Sequence, residues 1–473
     1  MTSITLHGGV NEIGGNKILL EDRGSRIFLD LGLSYNQKGK YFEEYLRPRP
    51  SAGLTDLIRT GLLPDPVHPD FCGVYRSDYL KMLGMGTSDP CPVQAVFLTH
   101  IHMDHSSYIA FLNEDVPVYA SLQSAAMAEA LSICNVHDFE SEIFEYKRRP
   151  SSRSDDVVRR KWVVVEPNKK VVVDDITVEG LPVDHSVPGA MSYLVHTSEG
   201  SLLYSGDLRV EGFGNTTAET MRRISGNEID VMLCEGTRVH ERGKPSEKEV
   251  RTAVVDLAKQ AKGLVVADFA YKDLQRLETF LEAARESGRT LVLTFRDALI
   301  LSTMRSKGLA LPDPRTDPSI ELLIEKKGKG TFDDIDYKTW EREFLSCGNV
   351  VRSPDVAKGG EKRILHSGFY DMTNLLDFEM PPGSIYIHST SEAHNEEQLI
   401  DERRLRNWLK LLKLSKHHHH ASGHACREEL EAFIGNADPD RLVPIHTKHA
   451  KVFSQMHGHV EMARLGKKIP FSA

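Results

Sequence analysis

The densest chemistry in the sequence lies in LTHIHMDHSS, where His100, His102, Asp104 and His105 fall within six residues. An apolar stretch, AVFLTH, runs at strand length into His100. Imidazole and carboxylate are the groups that suit zinc or manganese. A chain that needed only packing has no use for four such groups directly after an apolar strand. The pattern predicts a strand ending at His100, then a loop, then a helix from near Ser106. His185 in LPVDHSVPG and Asp207 in LLYSGDLR could complete a dinuclear site. Taken singly, each is as often structural as functional. What marks them is a shared placement just after a predicted strand, with Gly or Pro close by, because loops at one edge of a rigid sheet are where catalytic groups gather.

The elements that would position these residues can be read around them. ITLHGG, KILLED and RIFLDLG are strand-length pieces separated by glycines. Residues 38–93, rich in Pro, Gly and Asp, are predicted as a loop-rich insertion with one helix. SLQSAAMAEALSI has helical spacing, with Ser121 as its cap. KWVVVE, DITVEGLPV, SYLVHT, SLLYSGD and VMLCEG read as further strands. Near residue 243 the texture changes: GLVVADF, DLQRLETFLEAARESG and RTLVLTF give strand, helix, strand, the pattern of a parallel α/β sheet. Residues 308–365 are polar and carry no clear period. SIYIHST is a further strand, ERRLRNWLKLLK a helix, and the last segment is loop, helix, strand, loop.

At 473 residues and 40% hydrophobic, the chain is long enough for two or three domains. No run of about 18 apolar residues exists, so no membrane span is expected. The start, MTSITLHGGVNEIGG, lacks the features of a signal peptide. The six cysteines are scattered, which predicts free thiols in a reducing cytoplasm rather than disulfides or a Cys-type zinc site. A net charge of −9 means that any polyanion must meet a locally basic groove, or metals that supply the positive charge.

GGVNEIGGN, FLDLG with Asp30, THIHMDH, VDHSVPG and YSGDLR together resemble the metallo-β-lactamase superfamily. CEGTR with Glu235, ASGHA with His424 and VPIHTKH with His446 resemble the further motifs of its β-CASP nuclease branch, most closely the ribonuclease J-like group. The resemblance implies an α/β fold: a metallo-β-lactamase αββα sandwich with an inserted parallel α/β β-CASP domain. Residues 1–242 would form the first part of the sandwich, 243–398 the inserted domain, and 399–473 the return segment.

The resemblance also implies roles. His100, His102 and His185 would hold one metal, Asp104, His105 and His446 a second, with Asp207 bridging. Asp30 would orient a ligand from behind. His424 would be the general acid, supported by Glu235, and Ser422 and Gly423 would help cradle a phosphate. The implied cofactors are two divalent ions, zinc first and manganese as the alternative. The implied activity is hydrolysis of RNA phosphodiester bonds, exo- or endonucleolytic, by a metal-bound hydroxide with Asp104 in the catalytic set. The expected partner is single-stranded RNA, with no membrane, and a homo-oligomer stays open.

The chain departs from that family in having His446-Thr447-Lys448 where the group has His-Gly-Glu, in the 38–93 insertion, and in ending at Ala473, so that a separate C-terminal domain is not expected. A DNA nuclease of the same fold and a non-catalytic scaffold of an RNA-processing complex are the alternatives. Other polar clusters have plainer readings. His417–His420 could feed a metal or phosphate but read as loop, His388 and His394 as strand-end and loop residues, and Arg296 as a surface ion pair. Lys147-Arg148-Arg149 and Arg159-Arg160-Lys161 read as solvated faces, as does the mixed-charge helix carrying Arg403, Arg404 and Arg406.

Overall fold

The computed structural model describes residues 1–86, 91–134, 139–149, 157–243, 245–391 and 396–471, with the backbone alone for Glu396 and Glu397. His394 lies outside the described residues. The chain divides into two compact units. The first comprises Met1–Val210, Gly214–Gly243 and Gly423–Ala473, and the second Glu211–Phe213 and Lys244–Ser422.

The first unit is built on two sheets. In the seven-stranded sheet, Lys468–Pro470, Ser3–Gly8, Lys17–Asp22 and Ser25–Leu31 pair antiparallel in that order. Ala95–Phe97, Val118–Ala120 and Trp162–Val164 then extend it in parallel. The six-stranded sheet runs Arg441–Ile445, Val231–Glu235, Gly200–Tyr204, Met191–Thr197, Ile176–Pro182 and Lys170–Val173. Alternate residues of its strands face opposite ways, as a pleat requires. Leu202, Tyr204, Val231, Leu233, Val443 and Ile445 pack against Ile4, Leu20, Ile27 and Phe97 of the other sheet. Leu203, Met232, Cys234 and Leu442 pack outward with Ile224, Leu430 and Phe433, which lie on the helices Thr216–Ile224 and Arg427–Ala437. Burial on both faces explains why these strands read as continuous apolar runs. Helix Leu122–Cys134 begins where Ser121 Oγ accepts the Ser124 N–H at 3.0 Å, as the sequence predicts.

The second unit is a parallel sheet of seven strands. Its order is Val350–Arg352, Ile320–Ile324, Thr290–Leu293, Arg363–His366, Val265–Asp268, Ile385–His388, Ser415–His418. Capping boxes start two of its helices: Ser246 with Glu249 for Glu247–Gln260, and Thr294 with Asp297 for Phe295–Ser306. Together the two units have the fold of a metallo-β-lactamase sandwich with a β-CASP-type α/β insertion.

Several local expectations change. The strand before His100 stops at Phe97, because the Thr99 N–H donates to the Asp30 carboxylate at 2.7 Å and the Thr99 carbonyl accepts the Met191 N–H from the other sheet. The helix expected near Ser106 begins at Met103, so Asp104 and His105 are helical. Among its described residues, the 38–93 segment holds two short α-helices, Thr55–Arg59 and Ser77–Met82, and buries Leu54, Leu57, Phe71, Val74, Tyr75 and Tyr79. These helices are too short to show a period in sequence. Residues 308–365, which show no clear period in sequence, carry three strands and two short α-helices.

The second unit extends to Ser422 rather than 398, because Ser415–His418 pairs in parallel with Ile385–His388 and so belongs to its sheet. The first half of the His417–His420 run is therefore strand and not loop. Arg160 is buried and donates to the Leu112 and Ala110 carbonyls, and Arg149 pairs with Glu142 at 2.8 Å. Neither is part of a solvated face. Arg296 lies with its guanidinium 4.4 Å from the Tyr271 ring centroid.

Candidate metal centre

Strand direction gathers the polar residues at one edge of the first unit. Ser25–Leu31 and Ala95–Phe97 run parallel, with Ile27 opposite Ala95, so Asp30 and the Thr99-His100 segment emerge together. In the other sheet, Tyr204 is level with Leu233 and Glu235 with Ile445 in parallel pairings. Asp207, Glu235 and His446 thus sit just past or at neighbouring strand ends. Ile176–Pro182 is antiparallel to Met191–Thr197, which is antiparallel to Gly200–Tyr204. It therefore ends at the same edge and delivers His185.

The side chains converge in overlapping groups. His100, His102 and His185 form one, with His102 Nδ1 at 3.1 Å from Nε2 of both His100 and His185. Asp104, His105, Asp207 and His446 form another. Asp207 lies between them: its Oδ2 is 3.2 Å from His105 Nε2, 3.6 Å from His446 Nε2, 3.8 Å from His100 Nε2 and 3.9 Å from His185 Nε2. His446 Nε2 is also 3.3 Å from Asp104 Oδ2.

Most of these imidazoles are held at the nitrogen that faces away from the cluster. His105 Nδ1 donates to Asp30 Oδ2 at 2.7 Å, and His185 Nδ1 donates to the Gly423 carbonyl at 2.6 Å. His446 Nδ1 is hydrogen-bonded to the Thr237 hydroxyl at 2.9 Å, and His100 Nδ1 to the Thr99 hydroxyl at 3.1 Å. Such contacts fix ring orientation and present the remaining nitrogen inward. Asp30 is itself gripped: it accepts from the Thr99 N–H and hydroxyl and, at 2.6 Å, from the Tyr204 hydroxyl. Asp30 and His446 are fully buried and have φ of 59° and 51°, a backbone region that costs energy for a residue with a side chain and clusters at functional sites.

Burial pushes His100 and His185 well below the ordinary imidazole range, and neighbouring imidazoles push the same way, so both are neutral. His105 is driven upward, since Asp207, Asp30 and Asp104 outweigh its burial. Burial would raise Asp104 and Asp207, but the surrounding imidazoles hold both below the usual carboxylate range. His105 Nε2 and Asp207 Oδ1 are buried without a hydrogen-bond partner. Leaving such atoms unsatisfied costs about 1–3 kcal/mol each. The neutral imidazoles of His100 and His185 and the carboxylates of Asp104 and Asp207 converge in these groups, and such donors fit divalent cations.

His424 Nδ1 is 3.2 Å from Glu235 Oε1 and 3.8 Å from Asp207 Oδ2. Burial lowers its pKa, but Glu235 and then Asp207 more than offset this and bring it to about 9. Glu235 is fixed by the Leu208 and Thr237 backbone N–H groups, which donate to its two oxygens. Gly423 has no room for a side chain: a Cβ there would stand 2.6 Å from Ser186 Oγ and 3.0 Å from His185 Cε1. Ser422 is the last residue of the second unit. All the sequence-selected residues of the first unit meet at this edge. The sequence reading missed Thr99 and Thr237, although each stands inside a quoted motif: Thr99 directly before His100, Thr237 in CEGTR. His388 belongs to the second unit, where its Nδ1 is bonded to Asp268.

A two-sheet sandwich with His and Asp donors converging at its strand ends defines a metal-dependent hydrolase. The profile described as Beta-lactamase superfamily domain matches residues 75–266, and that described as Zn-dependent metallo-hydrolase RNA specificity domain matches residues 406–456. A Ribonuclease J of Mycolicibacterium smegmatis is 26% identical over 94% of this chain and 68% of its own length. A Ribonuclease J of Pyrococcus abyssi is 22% identical over 99% of this chain and 95% of its own. A crystal structure of a protein of unknown function from Enterococcus faecalis superposes with a TM-score of 0.73 at 21% identity, covering 99% of both chains, which supports the fold. Residues 75–266 thus match a metallo-β-lactamase superfamily domain, and the chain as a whole is similar to Ribonuclease J.

Proposed function

We propose that this protein is a metal-dependent ribonuclease that hydrolyses phosphodiester bonds of single-stranded RNA in the cytoplasm. The reading is carried by the convergence of His100, His102, His185, Asp104, His105 and His446 around Asp207, with the His424–Glu235 pair beside it. The similarity of residues 406–456 to an RNA specificity domain and the Ribonuclease J relatives favour RNA over DNA. Two divalent ions, zinc or manganese, would be held by His100, His102 and His185 on one side and by Asp104, His105 and His446 on the other, with Asp207 shared. When bound, such ions activate water and neutralise charge on the phosphoryl group being transferred.

The protein's own groups do the rest. Asp30, Thr99, Thr237 and the Gly423 carbonyl hold the imidazoles in place. His424, kept protonated by Glu235, stands ready to give its proton to the departing oxygen, a contribution of about 10²–10⁴-fold. Gly423 and Ser422 would line the phosphate position. Digestion of one sequence as RNA and as DNA, side by side and with or without a chelator, tests the reading. Chelator-sensitive cleavage of RNA alone is expected. Equal cleavage of DNA, or RNA cleavage that survives complete metal removal, would overturn it.

A further inference from the structure

A buried lysine stands behind one half of the centre. Lys17 is 3% exposed, and its ammonium donates to the Gly15 carbonyl at 2.9 Å and the Gly32 carbonyl at 3.1 Å. Its Nζ also lies 5.3 Å from the Tyr108 ring centroid. Gly15 and Gly32 belong to two separate loops, and both loops grip the same residue. The Gly15 and Asn16 N–H groups donate to the Asp104 carbonyl at 3.0 and 3.1 Å. A Cβ on Gly32 would sit 1.7 Å from that carbonyl oxygen, and a Cβ on Gly14 would sit 2.6 Å from the Asp104 carboxylate. Leu33 N–H donates to the Met103 carbonyl, and Gly32 N–H to the Asn16 carbonyl. The backbone of Asp104 is thus enclosed by two glycine-bearing loops, and the Lys17 side chain bridges a carbonyl of each. An ammonium is costly to bury. Here it is kept by donating to two convergent carbonyls.

We propose that Lys17 is a positioning residue for the reaction. It clamps the Gly15 and Gly32 turns together and so fixes the Asp104–His105 half of the metal centre, leaving the His100–His102–His185 half to its own supports. This inference rests on the reading of Asp104 and His105 as metal ligands.

Lys17→Met keeps most of the aliphatic volume and removes the donors. Three measurements on the full chain test the proposal. In metal-free protein, amide hydrogen exchange over residues 9–17 and 103–106 is expected to quicken at least tenfold, with exchange in Arg441–Ile445 unchanged. In zinc titration, one site is expected to weaken at least tenfold while the other holds. In RNA cleavage at fixed zinc, kcat is expected to fall at least tenfold with KM unchanged. Uniformly faster exchange, or equal weakening of both sites, would make Lys17 a general stabiliser and overturn the proposal, as would exchange and zinc affinities matching the parent. Should Lys17→Met not fold, Lys17→Gln, whose amide can still serve one carbonyl, is read in the same way. A parent protein that binds no zinc would instead overturn the metal-centre reading, while the exchange result still judges the clamp.

Discussion

Asp30→Asn is the most discriminating perturbation of the centre, because it alters charge while almost preserving shape. The Asp30 carboxylate accepts four hydrogen bonds: from the Thr99 N–H and hydroxyl, the Tyr204 hydroxyl and His105 Nδ1. The backbone raises no obstacle, since asparagine visits the left-handed region that Asp30 occupies at φ 59°. An amide, however, presents one acceptor oxygen in place of two. If its NH2 faces Thr99, that backbone N–H loses its partner. If it faces the other side, the two hydroxyls can turn to accept but His105 Nδ1–H cannot. Either way one buried donor is orphaned, at about 1–3 kcal/mol of stability.

The inward nitrogen of His105 also loses the anion behind it. Removing a partner of that kind weakens metal binding by roughly 10–100-fold, or about 1.4–2.7 kcal/mol at a decade per 1.4 kcal/mol. Zinc titration of the metal-free variant, alongside a thermal melt, reads both terms. One site should weaken by that factor, and RNA cleavage should recover most of its rate at saturating zinc. Unchanged affinity at both sites would refute the argument that Asp30 acts through His105.

Asp104→Ala and His105→Ala should each abolish RNA hydrolysis while circular dichroism still shows a folded protein; full activity in either variant under excess metal would count against the dinuclear assignment. Elemental analysis of active protein should return two zinc or manganese ions per chain, and chelation should remove activity; one ion or none in fully active protein contradicts the two-site reading. His424→Ala should retain both metals and bind RNA, yet cleave it on the order of 10²-fold more slowly. A nitrophenyl phosphodiester, whose leaving group needs no proton, should suffer far less. Loss of metal, or equal slowing of both substrates, would make His424 a ligand or a structural residue.

The residues that converge were legible because their chemistry is local. His100, His102, Asp104 and His105 are adjacent in sequence, and His185, Asp207 and His446 each follow an apolar run that the pleat makes recognisable. Their supports were harder to see. Thr99 and Thr237 are ordinary residues whose importance lies in what a folded neighbour offers them: Asp30 and His100 in one case, His446 in the other. The early end of the strand before His100 is likewise a tertiary effect, since a carboxylate from another strand takes the Thr99 N–H. The 38–93 segment misled through composition, since its prolines and glycines separate helices too short to show a period yet still bury Phe71 and Tyr79. The place where the second unit ends was hidden by the polar histidines of Ser415–His418, which carry strand backbone without a strand's apolar signature.

The chain order of the six-stranded sheet bears on how the protein is made. Val231–Glu235 receives its outer neighbour, Arg441–Ile445, only after the whole second unit has been translated. At about 5–20 residues per second, the roughly 200 intervening residues take on the order of 10–40 s. Throughout that time the nascent sandwich carries an unzipped rim strand, VMLCE, every residue of which is buried in the finished fold. It is also short of His446, which directly follows Arg441–Ile445. An unpaired strand of this kind is a template for pairing with other chains. The interrupted topology that brings these residues together therefore also sets a window of vulnerability during synthesis, which the finished form conceals.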